Sequence, residues 1–233
     1  MKFGNWAIAL MGIICLAIPV KAENPAHVKQ LLETKQCMGC DLSGANLAGV
    51  DLQGANLEEA NLSGTNLEEA NLNEANLIRA NLTEAKLVRA SLIAAKLHGA
   101  NMERANLIAA DLTLAGLVIT RLNQANLTSA NLVGANLESA DLVGANLRSA
   151  SQSLFNLNEV SLSEGTPFGM EMAGVNLRDA DLTDANLMGA NLNWSDLTNA
   201  TIENTDMRYV KLEGTHMPST GYSIPSVVQQ VEP

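Results

Sequence analysis

Large aromatic side chains are scarce in this 233-residue chain, because Phe, Trp and Tyr together make up only 3% of it. A core without large rings has to be filled by many small units. Histidine is equally rare, and His27, His98 and His216 lie too far apart in sequence to form a ligand spacing. Neither a Ser-His-Asp nor a Cys-His arrangement can be built from these residues. We therefore expect no catalytic site, no metal and no other cofactor.

Basic residues are in the minority, with 14 Lys and Arg against 25 Asp and Glu, which gives a net charge of −11. Nucleic-acid binding relies on basic side chains that neutralise phosphates. An acidic chain without a basic patch is unsuited to that contact. We expect a protein partner and no nucleic acid.

No apolar run is long enough to span a bilayer, which takes about 20 residues. The longest run extends from Ala7 to Val20, and Lys2 is the only charge before it. Small residues follow at the positions that signal peptidase reads, so we predict an export signal over residues 1–22, with cleavage between Ala22 and Glu23. Two lysines and no acid would leave with it, which moves the charge to −13. A retained anchor is the alternative; after cleavage no stable membrane anchor is expected.

A five-residue period dominates the rest of the sequence. From Leu42 to Met217 every fifth residue is Leu or, less often, Met or Ile, which gives 36 steps broken only at Gln152 and Pro167. A small residue, usually Ala, stands two places before each Leu, and Asn or Asp lies between them, as in Ala55-Asn56-Leu57. Such internal repeats indicate a stacked repeat architecture.

The period excludes a single long element. Five residues advance an α-helix by about 500°, so the leucines would spread around its axis. An odd period in one long strand would move the leucines from one face to the other at each step. A three-residue extended piece followed by a corner satisfies the pattern, with Leu and Ala inward and Asn outward. We expect the outward Asn side chains to form hydrogen-bonded ladders.

The charges indicate four steps per coil. Residues stacked in adjacent coils lie about 4.8 Å apart, so like charges should not be stacked. A three-step coil would place Glu59 on Glu74 and Arg89 on Arg104. An offset of twenty residues instead pairs opposite charges: Glu59 with Arg79, Glu69 with Arg89, Glu84 with Arg104, and Arg121 with Asp141.

These repeats resemble the pentapeptide-repeat family. The segments Ala55–Glu59 and Ala185–Gly189 both have the Ala-Asn-Leu-x-x form, and the resemblance covers residues 40–217. It implies an all-β fold, a right-handed quadrilateral parallel β-helix with four steps per coil. Thirty-six steps would give about nine coils.

Both ends of the repeat need a cover, because open β-helix ends expose unpaired strand edges. Residues 23–39 predict a short N-terminal capping helix that starts at Asn24-Pro25. Its apolar face is expected to consist of Val28, Leu31 and Leu32. Residues 218–233 abandon the repeat and form a C-terminal tail.

The segment 151–173 departs from the motif, with Gln152 and Pro167 at Leu positions. At an offset of twenty residues, Glu159 would stack on Asp179, a like-charge pair. We predict that residues 163–170 leave the wall as a loop, with Pro167 and Phe168 as a candidate interaction site. A decayed coil with a local bulge is the alternative.

Cys37-Met38-Gly39-Cys40 is the one motif with chemical potential. In an oxidising compartment a close cysteine pair is expected to form a disulfide. We predict that Cys37, at the end of the cap helix, and Cys40, in the first coil, staple the two elements together. A redox-active pair is an alternative, and zinc would need further ligands. Covalent haem is unsuited, because Asp41 stands where that motif requires His.

The export signal, the Cys-x-x-Cys motif and the uniform repeats are together similar to exported, cyanobacterial-type pentapeptide-repeat proteins. The resemblance implies a non-catalytic scaffold in the periplasm or the thylakoid lumen that binds a protein. Two alternatives stay open: a DNA mimic that binds a topoisomerase such as gyrase, and an envelope thiol-disulfide redox protein. The sequence does not set the oligomeric state.

Overall fold

The computed structural model describes residues 24–148, 175–188 and 190–218. One α-helix, α1, spans Pro25–Thr34. After it the chain forms isolated parallel β-bridges between residues twenty apart, beginning with Gln36 and Asn56. Each five-residue step supplies one bridged residue, so four steps close one coil and the coils stack as a solenoid. The predicted signal segment 1–22 and the candidate loop residues Pro167 and Phe168 lie outside the described residues, as does the tail beyond residue 218.

Each step is an extended piece that ends in a tight turn, as the period predicted. In the step that begins at Asn66, the Leu67 amide donates to the Lys86 carbonyl of the next coil at 2.7 Å, and the Ala70 amide donates to the Leu67 carbonyl at 3.1 Å. Between them Glu69 has a φ of 59°. A positive φ at the third position of the turn is typical of type II turns. Each extended piece is too short to form a continuous β-strand, so it pairs with the next coil through a single β-bridge.

The core is a column of leucines alternating with alanines. Leu57, Leu87 and Leu117 are fully buried, and so are Ala60 and Ala90. Burying one Leu contributes about 1.5–3 kcal/mol, and the repeat supplies this contribution in every step. The inward orientation of both positions is confirmed.

The Asn residues between them form the expected ladders. The Asn61 side chain donates from Nδ2 to Asp41 Oδ1 at 2.9 Å, and its Oδ1 accepts from the Ser63 amide at 3.2 Å. The Asn71 Nδ2 donates to Asp51 Oδ1 in the same way, at 2.9 Å. Each ladder residue thus fixes its own turn and the register of the next coil.

The charge pairs confirm the offset, with one exception. Arg79 lies 3.4 Å from Glu59 and Arg104 lies 3.0 Å from Glu84, and Arg89 pairs with Glu69. The ion pair between Arg121 and Asp141 was predicted wrongly. Their backbones are bridged, but the Arg121 guanidinium extends to Glu103, 3.7 Å away. The pairs are exposed, so each adds at most about 1 kcal/mol.

Among the described residues, the register changes between Leu147 and Val175. There the bridged partners are forty residues apart rather than twenty: Asn136 with Asn176, Asp141 with Asp181, and Asn146 with Asn186. The coils of Asn136 and Asn176 are therefore direct neighbours, so the unbroken offset of twenty behind the predicted nine coils is wrong at this point. The coil before Asp179 is that of Ser139, whose amide donates to the Arg178 carbonyl at 2.8 Å. An unbroken offset of twenty would have stacked Asp179 on Glu159, which carries the same charge. In the structure Asp179 is stacked on Ser139 instead.

The helix α1 begins and ends with recognisable caps. The Asn24 side chain accepts from the Ala26 amide at 3.1 Å, and Lys35, at a φ of 54°, donates its amide to the Leu31 carbonyl. Leu31 is buried against the first coil, whereas Leu32 is 52% exposed. The assignment of Leu32 to the apolar face was wrong, because that position lies beside the face that contacts the coil. Within the described residues, no helix is long and apolar enough to cross a bilayer.

Candidate functional site

The two cysteines lie together, but not at the place the sequence predicted. Cys37 and Cys40 are joined by a disulfide with an S–S distance of 2.05 Å. The helix has already ended at Thr34, and Gln36 is bridged to Asn56, so Cys37 occupies a Leu position of the first coil and not the helix end. Cys40 takes the next small-residue position. The bond closes one turn of the wall, so the predicted staple from helix to coil is corrected.

His27 makes the connection between helix and coil instead. In the interior of the stack, the amide of a bridged residue donates to a carbonyl in the preceding coil, as the Asn61 amide does to the Cys40 carbonyl. Asp41 belongs to the first coil that the structure describes. Its amide donates to Nδ1 of His27 at 2.9 Å. The histidine thus covers one open edge of the β-helix, a role that sequence reasoning did not assign to it.

Three carboxylates among the described residues have lowered pKa values, and the ion pair with Asp206 raises the pKa of Arg208. The hydrogen bond from Lys35 lowers the pKa of Asp51, and the hydrogen bond from Arg208 lowers the pKa of Asp206. Burial by itself raises the pKa of Asp196, but hydrogen bonds from Thr198 and the charge of Arg178 outweigh it and hold that pKa below its usual value. Across the described ranges, His, Cys, Asp and Glu form no cluster of three suited to a metal ion.

One wall carries an interruption that the sequence reading missed. We call it wall A; its bridged residues are Gln36, Asn56, Asn76, Lys96, Gly116, Asn136, Asn176, Asp196 and His216. At Gly116 the wall has no side chain. The turns on either side expose Leu114, 63% accessible, and Ile119, 49% accessible. With their half-buried neighbours they form an apolar band across the wall, defined as Ile93, Leu114, Gly116, Val118, Ile119 and Val133; the half-buried Thr113 stands between Ile93 and Val133 in the same column.

The fold itself does not require glycine at position 116. Gly116 has no left-handed φ, and a Cβ placed there would meet only the Ala95 carbonyl oxygen, at an ordinary 4.0 Å. An Asn, the usual residue of the ladder, would therefore fit. The missing side chain leaves the band flat, which allows another surface to approach the backbone closely.

Glycines at the neighbouring turns let the large side chains lie along the surface. A Cβ at Gly134 would come 2.8 Å from Leu114 Cδ2, so the leucine covers that glycine. A Cβ at Gly99 would lie 4.0 Å from Ile119 Cδ1 and 3.7 Å from Arg79 Cγ. The band is thus packed against its own coils and still half open to solvent. Exposed apolar patches of this kind mark sites of protein contact.

A signal for this band was present in the sequence. Leu114 and Ile119 stand at turn positions where other steps have Gly, Glu or Arg, and Gly116 stands at an Asn or Asp position. Sequence reasoning tracked the inward Leu and Ala positions, which are regular there, and so did not register the outward change. Thr120, at the next inward position, is buried and donates to the Leu97 carbonyl at 3.0 Å.

The family comparison marks the same place. The model for pentapeptide repeats matches eight copies, over residues 36–74, 75–113, 120–151 and 176–214. The match stops at residue 113 and resumes at 120, so the short stretch between them holds Leu114, Gly116 and Ile119. It also begins at Gln36, in agreement with the first bridge. No curated protein sequence matches the chain significantly.

Solved structures of pentapeptide-repeat proteins resemble this chain. HetL, involved in heterocyst differentiation regulation in the cyanobacterium Nostoc sp. PCC 7120, is 24% identical, with a TM-score of 0.51 over 84% of this chain and 93% of HetL. QnrB1, a plasmid-mediated fluoroquinolone resistance protein, is 19% identical, with a TM-score of 0.25 over 79% of this chain and 80% of QnrB1. A protein from the Arabidopsis thaliana thylakoid lumen is 30% identical, with a TM-score of 0.15 over 47% of this chain and 66% of its own.

The likeness to HetL supports the fold, a right-handed β-helix solenoid. The five-residue steps, the twenty-residue bridges and the family match over most of the chain agree with one another. The chain belongs to the pentapeptide-repeat family.

Proposed function

We propose that this protein is a non-catalytic scaffold, exported from the cytoplasm, that contacts protein through the apolar band on wall A. The observation that carries the proposal is the exposure of Leu114 and Ile119 on either side of Gly116. The other bridged positions of wall A are polar or charged, and many Asn side chains on the four walls are engaged in ladder or turn hydrogen bonds. A flat apolar strip within such a polar surface favours a protein contact over a small ligand.

Export is supported by two features of the sequence and the first coil. Residues 1–22 have the form of a cleavable signal. The disulfide between Cys37 and Cys40 fits an oxidising compartment, the periplasm or the thylakoid lumen. Both cysteines are buried, which disfavours thiol exchange with a substrate, so we assign the bond a structural role.

The first test is the intact mass of the protein in fractions of its native cells. We expect a chain that begins at Glu23, found in the periplasm or the lumen and lighter by the two hydrogens lost when Cys37 and Cys40 bond. A full-length species in the cytoplasm would overturn the export proposal. It would also make a topoisomerase-binding assay the next experiment.

The second test addresses the band. A photo-crosslinking amino acid is placed at Leu114 and, as a matched control, at Ser129, an exposed residue at the corresponding turn position of another corner, with nearly the same φ, 57° against 58°. We expect a protein adduct from position 114 and none from position 129. Equal labelling at both positions, or none at either, would contradict a contact through the band.

A further inference from the structure

We propose that the apolar band is the centre of an antiparallel contact between two copies of this chain, related by a two-fold axis that passes through the coil of Gly116. The inference rests on the proposed function and names the partner for the same surface. Homo-oligomers most often form such two-fold contacts, in which one patch meets itself. A patch that meets itself must be flat at its centre. The band is flat there, because Gly116 has no side chain and Leu114 and Ile119 stand on either side of it.

The charges of wall A decide between two ways of pairing. If the two-fold axis ran along the rod, every coil would face the same coil of the partner. The central column would then oppose Lys96 to its own copy, and Asp196 to its own copy. Like charges placed directly opposite each other are unfavourable. The central column therefore disfavours a parallel pair, whereas at the corners Arg79 would face Glu74 in that arrangement.

An axis perpendicular to the rod gives a different set of neighbours. Each coil before that of Gly116 then faces the coil equally far after it in the second copy, and each corner of the wall faces the same corner. Leu114 meets Leu114, and Ile119 meets Ile119. One coil away, Ile93 faces Val133, His98 faces Glu138, and Lys96 faces Asn136. Ile93 thus meets an apolar residue, Lys96 meets an amide, and the His98 ring meets a carboxylate.

The register change brings a further opposite-charge pair into place. The coil of Ile119 is followed by that of Ser139 and then by that of Asp179, as the hydrogen bonds from the Ile119 amide to Glu138 and from the Ser139 amide to Arg178 show. Arg79 lies two coils before Ile119, so in the antiparallel pair it faces Asp179 of the second copy. Both side chains are exposed. From Arg79 to Asp179 the facing surface covers five coils, about 19 Å at the spacing of paired strands, and it also places Ile78 opposite Arg178, which is not a complementary pair.

The test begins with the oligomeric state of the mature, oxidised chain, measured by sedimentation. We expect a reversible dimer with a dissociation constant of about 1–100 μM. Ile119→Glu should weaken it at least about tenfold, because a charge replaces an apolar residue at the axis. The fold accepts Glu at this turn position, as Glu59 and Glu69 show with φ of 56° and 59°, against 51° for Ile119. A monomer at about 100 μM would overturn the proposal.

Two further variants separate the contact from a folding effect. Gly116→Asn restores the ladder residue, fits the wall, and should weaken the dimer because its side chain separates the two copies. Ser129→Glu is the matched control on another corner and should leave the dimer unchanged. A dimer that resists both Ile119→Glu and Gly116→Asn contradicts the assignment.

The ion pair between Arg79 and Asp179 of the second copy has its own test. Arg79→Asp should weaken the dimer, and adding Asp179→Arg should restore it.

Cysteine crosslinking tests the direction of the pair. With the native disulfide intact, Ile119→Cys should link to its own copy, and so should Leu114→Cys. In a mixture of the two variants, a preference for 114–119 links would indicate the parallel arrangement and overturn the antiparallel one.

The two proposals fail in different ways. If the purified chain is monomeric and the crosslinker at Leu114 captures a different protein in cells, the second copy is excluded while the scaffold stands. A link from position 114 to the chain's own residues 219–233 also excludes the second copy. If the crosslinker captures nothing, both proposals fail.

Discussion

Single side chains decide how this uniform repeat begins and where it is interrupted. His27 accepts a hydrogen bond from the Asp41 amide and so covers the edge of the first described coil. Gly116 removes one rung from a ladder that would sterically accept Asn. Neither residue alters the backbone path of the coils around it, so their effects are confined to an edge and to a surface.

The replacement His27→Ala should destabilise the protein. It leaves the Asp41 amide at the open end without its acceptor, which costs about 1 kcal/mol and lowers the melting temperature by about 2–4 °C. Thermal unfolding followed by circular dichroism measures the change. His216→Ala, at an exposed position of the last coil, is the control and should have a smaller effect. An equal loss in both variants would mean that His27 has no special role as a cap.

At the scale of the five-residue element, the turn accepts many residue types, although one of its positions requires a left-handed backbone conformation. Its third residue has a positive φ, and residues as different as Glu59, Arg89, Leu114 and Trp194 adopt it. A left-handed residue other than glycine is normally unfavourable. Here the ladder hydrogen bonds before the turn and the buried Leu and Ala on either side hold it in place. Surface residues can therefore vary at the turns while the core stays constant.

The first five-residue step contains the disulfide. Loss of the disulfide should lower the melting temperature of the protein without affecting any catalysed reaction. Replacing both Cys37 and Cys40 with Ser removes a short closed loop, worth about 2 kcal/mol in the chain-entropy description. We expect a lower melting temperature for the variant, and a similar drop for the native chain under strong reductant. The contrary result, unchanged stability together with the loss of thiol-disulfide exchange activity in the native compartment, would favour a redox protein.

At the scale of the whole molecule, each coil contacts only its neighbours, so stability is close to a sum over coils and their interfaces. The end coils have a neighbour on one side only. The three carboxylates with lowered pKa values lie toward the two ends, Asp51 near the first coil and Asp196 and Asp206 near the last. The ends should therefore respond to acid before the middle.

The pH dependence follows from the direction of those pKa values. A carboxylate with a folded pKa below its unfolded value of about 3.9 contributes stability above that value and loses it as the pH falls through the folded pKa. We expect the protection factors for amide hydrogen exchange, which correct for the slower chemical exchange in acid, to fall near pH 3 around Asp51 and Asp206 before they fall around Leu107. In Asp206→Asn, the loss of amide protection between pH 7 and pH 3 should become smaller at the C-terminal end and stay the same elsewhere. Loss of protection in the central coils first would contradict this expectation.

The period, the inward Leu and Ala, the Asn ladders and the twenty-residue coil could all be predicted from the sequence. Each is a contact between neighbours that recurs in every step, so one wrong residue does not hide it. The charge offset worked for Arg79, Arg89 and Arg104 for the same reason. The offset failed to predict the ion-pair partner of Arg121, because the long side chain can reach either Asp141 or Glu103 while the register of the coils stays the same.

Only the tertiary structure decided where the repeat begins and which coils adjoin. The Leu spacing keeps the same phase whether Asn136 pairs with a residue twenty or forty places later, so the period cannot distinguish the two. The choice depends on the free energy of whole coils stacked against each other. The first coil starts at Gln36 because α1 ends at Thr34 and His27 covers the edge. The apolar band exists because coiling brings Ile93, Leu114, Ile119 and Val133 onto one wall, whereas in the sequence they are up to forty residues apart.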